Sequence, residues 1–149
     1  MPSTIPVAVL GAGAIGVDHI ASFQQHPAAR VVALADTSAE RGNAAANKYG
    51  VAEAVRDYRQ LLARRDIGAV SIALPNYLHA PVALDALRAG KHVMIDKPMA
   101  TNARDGAKLA AEAKKRRRLL LIGQNNRFSP VVQAARDFID RGVLGDLYH

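Results

Sequence analysis

The chain has 149 residues, of which 50% are hydrophobic and 22% charged, a composition typical of one globular domain. It contains no cysteine, which excludes disulfides, thiolate zinc sites and cysteine nucleophiles. No uncharged apolar stretch approaches the roughly 18 residues that a membrane span requires, and the N-terminus lacks the pattern of a signal peptide. We therefore expect residues 1–149 to form a cytoplasmic domain that makes no membrane contact.

The net charge of +7 comes mostly from one short segment. Five of the 20 basic residues lie in Lys114–Arg118, and the remaining 15 are nearly balanced by the 13 acidic residues. No aromatic residue interleaves with this segment, as stacking on nucleic-acid bases would require. Cations in the last turn of a helix are stabilised by the helix dipole without any partner. We therefore expect no nucleic-acid partner.

Short apolar segments alternate with longer Ala-rich amphipathic ones along the whole chain. The apolar segments predict six strands, at Val7–Leu10, Val31–Ala35, Val51–Val55, Val70–Leu74, His92–Ile95 and Leu119–Ile122. The amphipathic segments predict helices at Ile15–Gln25, Ala39–Tyr49, Tyr58–Arg64, Ala80–Ala89, Ala103–Arg116 and Val131–Arg141. Strands without polar alternation are buried on both faces. The pattern therefore predicts an α/β fold with a doubly wound parallel sheet.

The first strand is followed by a glycine-rich loop, G-x-G-x-x-G, that opens a helix. Gly11 allows a tight turn, Gly13 lets a pyrophosphate approach the backbone, and Gly16 allows close helix–strand packing. The helix start at Ala14 and Ile15 offers backbone N–H groups to phosphate oxygens. Glycines also serve ordinary turns, so a second element is needed to predict dinucleotide binding.

That second element is Asp36, twenty residues after Gly16 at the end of the second strand. An acidic residue at this position hydrogen-bonds the adenosine ribose hydroxyls of NAD. The same carboxylate would repel a 2′-phosphate, and no arginine follows it immediately, so the sequence favours NAD over NADP. Thr37 and Ser38 are compatible with either cofactor. The alternative role of Asp36 is to cap the next helix, in competition with Ser38.

Two later strands also end in polar residues. Pro75, Asn76 and His79 follow the fourth strand, and Asp96-Lys97-Pro98 follows the fifth. Ligands of doubly wound sheets bind beyond the carboxyl ends of the strands, where Lys97 would orient a substrate hydroxyl. Both segments are equally compatible with ordinary turns at strand ends.

Other classes of site are disfavoured. His19 and His26 lie seven residues apart with no third ligand at metal-binding spacing, so we expect no metal site. The motifs of P-loop NTPases and of G-x-S-x-G hydrolases are absent, as is the Tyr/Lys pair of short-chain dehydrogenases. An S-adenosylmethionine methyltransferase can share the glycine loop and the acidic residue, but the later motifs favour a dinucleotide.

Together these motifs resemble the cofactor domain of the glucose–fructose oxidoreductase and inositol dehydrogenase family, Gfo/Idh/MocA. The resemblance covers essentially the whole chain and rests on the residues in the following order: Gly11–Gly16 with His19, Asp36, Pro75-Asn76 with His79, Ala89–Val93, Asp96-Lys97-Pro98, Asn125–Pro130 and Gly142–Gly145. Members of this family bind NAD or NADP and oxidise or reduce sugars and polyols. The resemblance therefore implies an oxidoreductase with a sugar- or polyol-like substrate, and we also expect a homo-oligomer.

The resemblance also implies roles for individual residues. The glycine loop and Asp36 hold the adenosine half of the cofactor, and Pro75, Asn76 and His79 line its nicotinamide side. Lys97 matches the family's functional lysine and Pro98 shapes its turn, although the preceding residue is Asp96 where the family usually has Glu. A polar segment bordering the active site matches Asn126 and Arg127.

Family members continue into a second, mostly β domain that supplies an Asp and a catalytic His. Residues 125–149 correspond to the transition toward it, and that domain is absent from this sequence. His149 stands at a different point and is not equated with that histidine. The alternative to an enzyme is a stand-alone nucleotide-binding or regulatory module, or a degenerate remnant, which would bind cofactor without catalysis.

Overall fold

The protein forms a single six-stranded sheet in a computed structural model that describes residues 4–146 and residue 148. All strand pairs are parallel, in the order β3-β2-β1-β4-β5-β6. The strands are β1 Ile5–Leu10, β2 Ala29–Ala35, β3 Ala54–Val55, β4 Ala69–Ile72, β5 His92–Asp96 and β6 Leu120–Gly123. This topology confirms the predicted doubly wound α/β fold. His149 lies outside the described residues.

Helices cover both faces of the sheet. They are α1 Ala14–Gln25, α2 Ala39–Tyr49, α3 Tyr58–Ala63, α4 Asn76–Arg88, α5 Ala103–Arg116 and α6 Pro130–Asp140, with a 3₁₀ turn at Asn125–Phe128. Side chains of β1 alternate between two hydrophobic clusters: Ala8 and Leu10 pack with residues of α3, α4 and α5, and Val9 packs with residues of α1 and α2. Burial on both faces explains the continuous apolar character of this strand. No helix among the described residues is long and apolar enough to cross a membrane.

Helix α4 begins four residues earlier than the sequence pattern predicts, at Asn76 instead of Ala80. In the structure Pro75 precedes the helix and Pro81 lies inside it. The early start places Asn76 and His79 on the first turn of α4, immediately beyond strand β4.

The C-terminal helix α6 has a different environment from the others. Ser129 caps it by accepting a hydrogen bond from the Val132 N–H, and Pro130 occupies its first turn, as the sequence predicts. None of its residues is buried, although the helix is strongly amphipathic. Its exposed apolar side chains include Val131, Phe138 and Ile139. An apolar face of this kind is typical of a surface that other polypeptide covers.

Candidate dinucleotide site

The glycine loop between β1 and α1 is packed so tightly that two of its glycines cannot be replaced without displacing backbone. Gly11 has φ +98°, and a Cβ there would clash with the carbonyl oxygen of Ala73. A Cβ on Gly16 would clash with the carbonyl oxygen of Gly11. The loop therefore folds against both the start of its own helix and the end of β4.

Gly13 differs from these two glycines because its exposed side is open. A Cβ built on Gly13 would have no atom of the described chain within 4 Å. Gly13 is also the N-cap of α1, and it has no side chain of its own with which to cap the helix. Ala14 and Ile15, the first residues of the helix, are exposed. The N-terminus of α1 is thus accessible to an anion, as pyrophosphate binding requires.

A cavity of about 430 Å³ lies on one side of this loop. Its walls come from the carboxyl ends of β1, β2 and β4 and from the first turn of α4, and its lining includes Gly11, Gly13, Asp36, Thr37, Arg41, Arg56, Tyr58, Pro75 and Tyr77. Asp36 and Thr37 thus lie where the sequence predicts the adenosine half of a cofactor. Asn76 is exposed beside this cavity but does not line it.

The Asp36 carboxylate sits at the end of β2 with its side chain only 4% exposed. It accepts hydrogen bonds from the backbone N–H groups of Ala12 and Ser38, at 2.8 and 2.9 Å. It also forms a two-point ion pair with Arg41, with Nε–Oδ2 2.9 Å and Nη2–Oδ1 2.6 Å. Burial raises the pKa of Asp36, but the hydrogen bonds from Arg41, Ala12 and Ser38 together outweigh it and hold this pKa below its ordinary value.

Arg41 was not predicted as a site residue, because it follows Asp36 by five positions and not directly. Arg41 lies in the first turn of α2, whose N-cap Ser38 accepts a hydrogen bond from the Arg41 N–H at 3.2 Å. The signal was available in the spacing: a helix that starts after Ser38 turns its third helical residue back toward the strand end. Arg56 was missed as well, and its Nε donates to the carbonyl oxygen of Thr37 at 3.2 Å.

Tyr58 forms part of the same cavity wall and is tied to α4. Its hydroxyl donates to Oδ2 of Asp85 at 2.7 Å. Burial, together with this hydrogen bond to a carboxylate, raises the pKa of Tyr58 to about 12. The hydrogen bond between Tyr58 and Asp85 joins α3 to α4 at the cavity wall.

A second cavity, of about 690 Å³, is lined by a different set of residues, including some from α1 and from the end of β5. Lys97 and Asp96 line it at the end of β5, and Ile15 and His19 line it from α1. Lys97 is exposed, and its backbone N–H donates to Oδ1 of Asp96 at 2.8 Å. The start of α1 thus separates the cavity that contains Asp36 from the cavity that contains Lys97.

His19 joins α1 to the centre of the sheet within this second cavity. Its Nδ1 lies 2.9 Å from the hydroxyl oxygen of Ser71 on β4, fifty-two residues away in sequence. Burial lowers the pKa of His19, against the opposing effect of the Asp96 and Asp18 carboxylates. Its place beside Lys97 in this cavity depends on the folded chain.

His79 is buried, with 1% of its surface exposed, and it lines neither of these two cavities. Its Nε2 lies 2.7 Å from the carbonyl oxygen of Leu74, and its Nδ1 lies 2.6 Å from that of Pro98. Each ring nitrogen thus lies within hydrogen-bond distance of a backbone carbonyl oxygen, and the nitrogen that carries the proton donates. The imidazole links the start of α4 to the turn that carries Lys97, so its contribution to a site would be to position that turn.

The polar segment after β6 lies partly at the second cavity. Asn125 lines the cavity, whereas Asn126 and Arg127 are exposed in the 3₁₀ turn next to it. Asn125 was included in the family resemblance but not among the predicted site residues. The roles assigned to Asn126 and Arg127 stay predictions.

The parallel sheet, the glycine loop and the open N-terminus of α1 define a Rossmann-type dinucleotide-binding domain. The chain belongs to the Gfo/Idh/MocA family: the family described as "Oxidoreductase family, NAD-binding Rossmann fold" matches residues 5–124. This match confirms the resemblance inferred from the motifs. It also confirms a nicotinamide dinucleotide as the cofactor class of the family.

Relatives of this chain include enzymes of polyol and sugar metabolism. It is 37% identical to inositol 2-dehydrogenase of Gluconacetobacter diazotrophicus over 147 residues, which is 97% of this chain and 44% of that protein. It is 43% identical over 128 residues to dTDP-3,4-didehydro-2,6-dideoxy-alpha-D-glucose 3-reductase of Streptomyces violaceoruber, covering 85% of this chain and 36% of that enzyme.

A solved structure with a similar fold is KijD10, a 3-ketoreductase from Actinomadura kijaniata determined with NADP and TDP-benzene. It matches with a TM-score of 0.88 and 33% identity over 95% of this chain and 43% of that structure. The chain therefore spans less than half the length of these relatives.

Proposed function

We propose that this chain is the cofactor-binding part of an oxidoreductase that transfers a hydride between NAD(P) and a sugar- or polyol-like alcohol or carbonyl compound. The observation that carries the proposal is the pair of cavities flanking the N-terminus of α1. One contains Asp36, and the other contains Lys97. An extended dinucleotide would place adenosine in the first, pyrophosphate at Gly13 and nicotinamide toward the second.

The chain's own residues supply binding and orientation. The open surface at Gly13 admits phosphate, and the exposed N-terminus of α1 offers it hydrogen-bond donors. Nicotinamide, when bound, would accept or supply the hydride. Lys97 would donate a hydrogen bond to the substrate oxygen and fix it beside the reacting carbon. The apolar wall of the second cavity, formed in part by Ile15, Phe23 and Met94, would exclude water from this place.

Cofactor binding tests the first half of this proposal. Titrating the 149-residue chain into NADH should increase the nicotinamide fluorescence in a saturable way, and the chain contains no tryptophan that would interfere. A chain that is folded by circular dichroism and binds neither NADH nor NADPH would refute the dinucleotide site.

Turnover tests the second half. Protein expressed from the whole gene should reduce NAD⁺ or NADP⁺ with at least one compound of a polyol and sugar panel. Lys97→Ala should lower kcat by about a hundredfold or more, a much larger change than any in the Kd for NADH. Binding without turnover would instead support the regulatory module considered above.

Assembly and cellular location belong to the same proposal. The exposed apolar face of α6, with Val131, Phe138 and Ile139, would be covered by further polypeptide, either of the same enzyme or of a second subunit. A homo-oligomer in the cytoplasm stays a prediction. Sedimentation of the purified protein tests the assembly, and cell fractionation tests the location.

A further inference from the structure

The acidic residue expected to bind the adenosine ribose is already saturated with hydrogen-bond donors. A carboxylate offers about four acceptor positions. In Asp36 these are used by the N–H groups of Ala12 and Ser38 and by two nitrogens of Arg41. A ribose hydroxyl could donate to this carboxylate only by displacing Arg41. The interaction that usually favours NAD, a hydrogen bond from the ribose hydroxyls to this carboxylate, is therefore blocked by Arg41 in this chain.

The net charge of the cavity wall around Asp36 also differs from that of an isolated carboxylate. The two-point pair with Arg41 neutralises Asp36. Arg56 lies in the same cavity wall and adds a positive charge, held by its bond to the carbonyl oxygen of Thr37. The three charged side chains that line the cavity therefore sum to +1. Glu40, on the first turn of α2, is exposed and does not line it.

Arg41 is also placed to reach a ligand. Its side chain is 53% exposed, and the pair with Asp36 uses Nε and Nη2 only. Within residues 4–146 no partner of Nη1 is found, so its N–H groups can be offered to an anion in the cavity. The N-terminus of α2 adds a positive partial charge beside it. A dianionic phosphate on the ribose would meet two guanidinium groups instead of a bare carboxylate.

We propose that the Asp36–Arg41 pair makes this site accept NADP(H) as well as NAD(H), with Arg41 as the residue that sets the preference. The inference rests on the dinucleotide site proposed above. Arg41 masks the carboxylate and binds the 2′-phosphate of NADP(H), with Arg56 as a second, weaker contact. When NAD(H) binds, the ribose hydroxyls compete with Arg41 for Asp36, which lowers the affinity for that cofactor.

The test compares two cofactors on matched variants by fluorescence titration of the 149-residue chain. We expect wild-type Kd values for NADPH and NADH within about tenfold of each other. Arg41→Gln should raise the Kd for NADPH by about tenfold or more, because it removes the phosphate contact. It should lower the Kd for NADH, because it frees Asp36. Arg56→Gln should raise the Kd for NADPH by a smaller factor. Arg136→Gln is the control, since Arg136 also pairs with a carboxylate, donating from Nε to both oxygens of Asp140 on α6, outside the cavity that contains Asp36.

Isothermal titration with 2′,5′-ADP and 5′-AMP isolates the phosphate contact, and only 2′,5′-ADP should lose affinity in Arg41→Gln. If that variant does not fold, Arg41→Lys keeps the charge without the fork and should show an intermediate NADPH/NADH ratio. An unchanged ratio in the folded Arg41 variant, or a wild-type chain that binds NADH and rejects NADPH by more than about a hundredfold, would overturn the inference. A wild-type chain that binds neither cofactor would refute the dinucleotide site itself, which is a different result.

Discussion

His79 on α4 and Pro98 after β5 are joined by a hydrogen-bonding contact of 2.6 Å between the imidazole Nδ1 and the Pro98 carbonyl oxygen. The other ring nitrogen contacts the carbonyl oxygen of Leu74. One buried side chain thus connects the ends of two neighbouring strands. Because Lys97 directly precedes Pro98, the position of this lysine depends on His79.

Replacing His79 with Leu should therefore affect both stability and the lysine turn. The carbonyl oxygen that accepts from the imidazole, that of Leu74 or of Pro98, would lose its partner, and we expect the free energy of unfolding to fall by about 2 kcal/mol. Urea unfolding of the variant measures this. His26→Ala serves as control because His26 is exposed at the end of α1. Equal stability of His79→Leu and the control would contradict the linking role.

Two glycines of the loop should respond differently to the same substitution. Gly16→Ala introduces a Cβ against the Gly11 carbonyl oxygen and should cost about 1–3 kcal/mol of stability. Gly13→Ala meets no atom of the described chain and should cost only about 0.5 kcal/mol, because alanine is a poorer N-cap than glycine. Thermal melting of both variants measures the difference.

Gly13→Ala should nevertheless weaken NADH binding by about tenfold or more, because the new methyl group occupies the space proposed for phosphate. Fluorescence titration at equal protein concentration measures this effect. A Gly13→Ala variant that is as stable as wild type and binds NADH equally well would remove the loop from the cofactor site.

The depressed pKa of Asp36 predicts a pH dependence of stability. Its carboxylate is stabilised in the folded state by Arg41, Ala12 and Ser38, so its folded pKa lies below the ordinary value of 3.8. The corresponding stabilisation is fully present above pH 3.8 and is lost as the pH falls through the folded pKa. Urea unfolding between neutral and strongly acidic pH should therefore show a smaller acid loss for Asp36→Asn than for wild type. Parallel curves would contradict the assignment.

Tyr58 predicts a change at the opposite end of the pH range. Its folded pKa is raised to about 12, so its contribution to stability is fully present below the unfolded value of 10.0 and is lost as the pH rises through about 12. Ultraviolet titration should show one late-ionising tyrosine in wild type that is missing in Tyr58→Phe. Asp85→Asn should bring the late ionisation toward the ordinary range.

The strands and most helices follow from the sequence because each depends on a local pattern. Helix α2 has the predicted bounds Ala39–Tyr49, with Ser38 as its N-cap and Gly50 in a left-handed conformation at its C-cap. Helix α4 was the exception, since it begins at Asn76, four residues before the predicted start at Ala80, and contains Pro81 in its interior. Packing of Ala80 and Val82 against the sheet outweighs the missing N–H of Pro81.

In the candidate site, too, some features could be predicted from the sequence and others depend on the fold. The glycine spacing and the place of Asp36 at a strand end could be read directly, because a G-x-G-x-x-G loop has one dominant geometry between a strand and a helix. The partner of Asp36 could not be read, because a carboxylate at a strand end can face a ribose, a helix N-terminus or a guanidinium. Only the approach of α2 to β2 decides that Arg41 takes this place.

The sequence by itself determined the order of strands and helices along the chain, because this order follows from the hydrophobic period. It also indicated the class of cofactor and the family, because its glycine loop and later motifs resemble those of that family. The tertiary structure alone decided which side chains meet. His19 finds Ser71 across 52 residues, and His79 finds the Pro98 carbonyl across 19. Such pairs depend on how distant elements pack in three dimensions, and no local pattern along the chain encodes that packing.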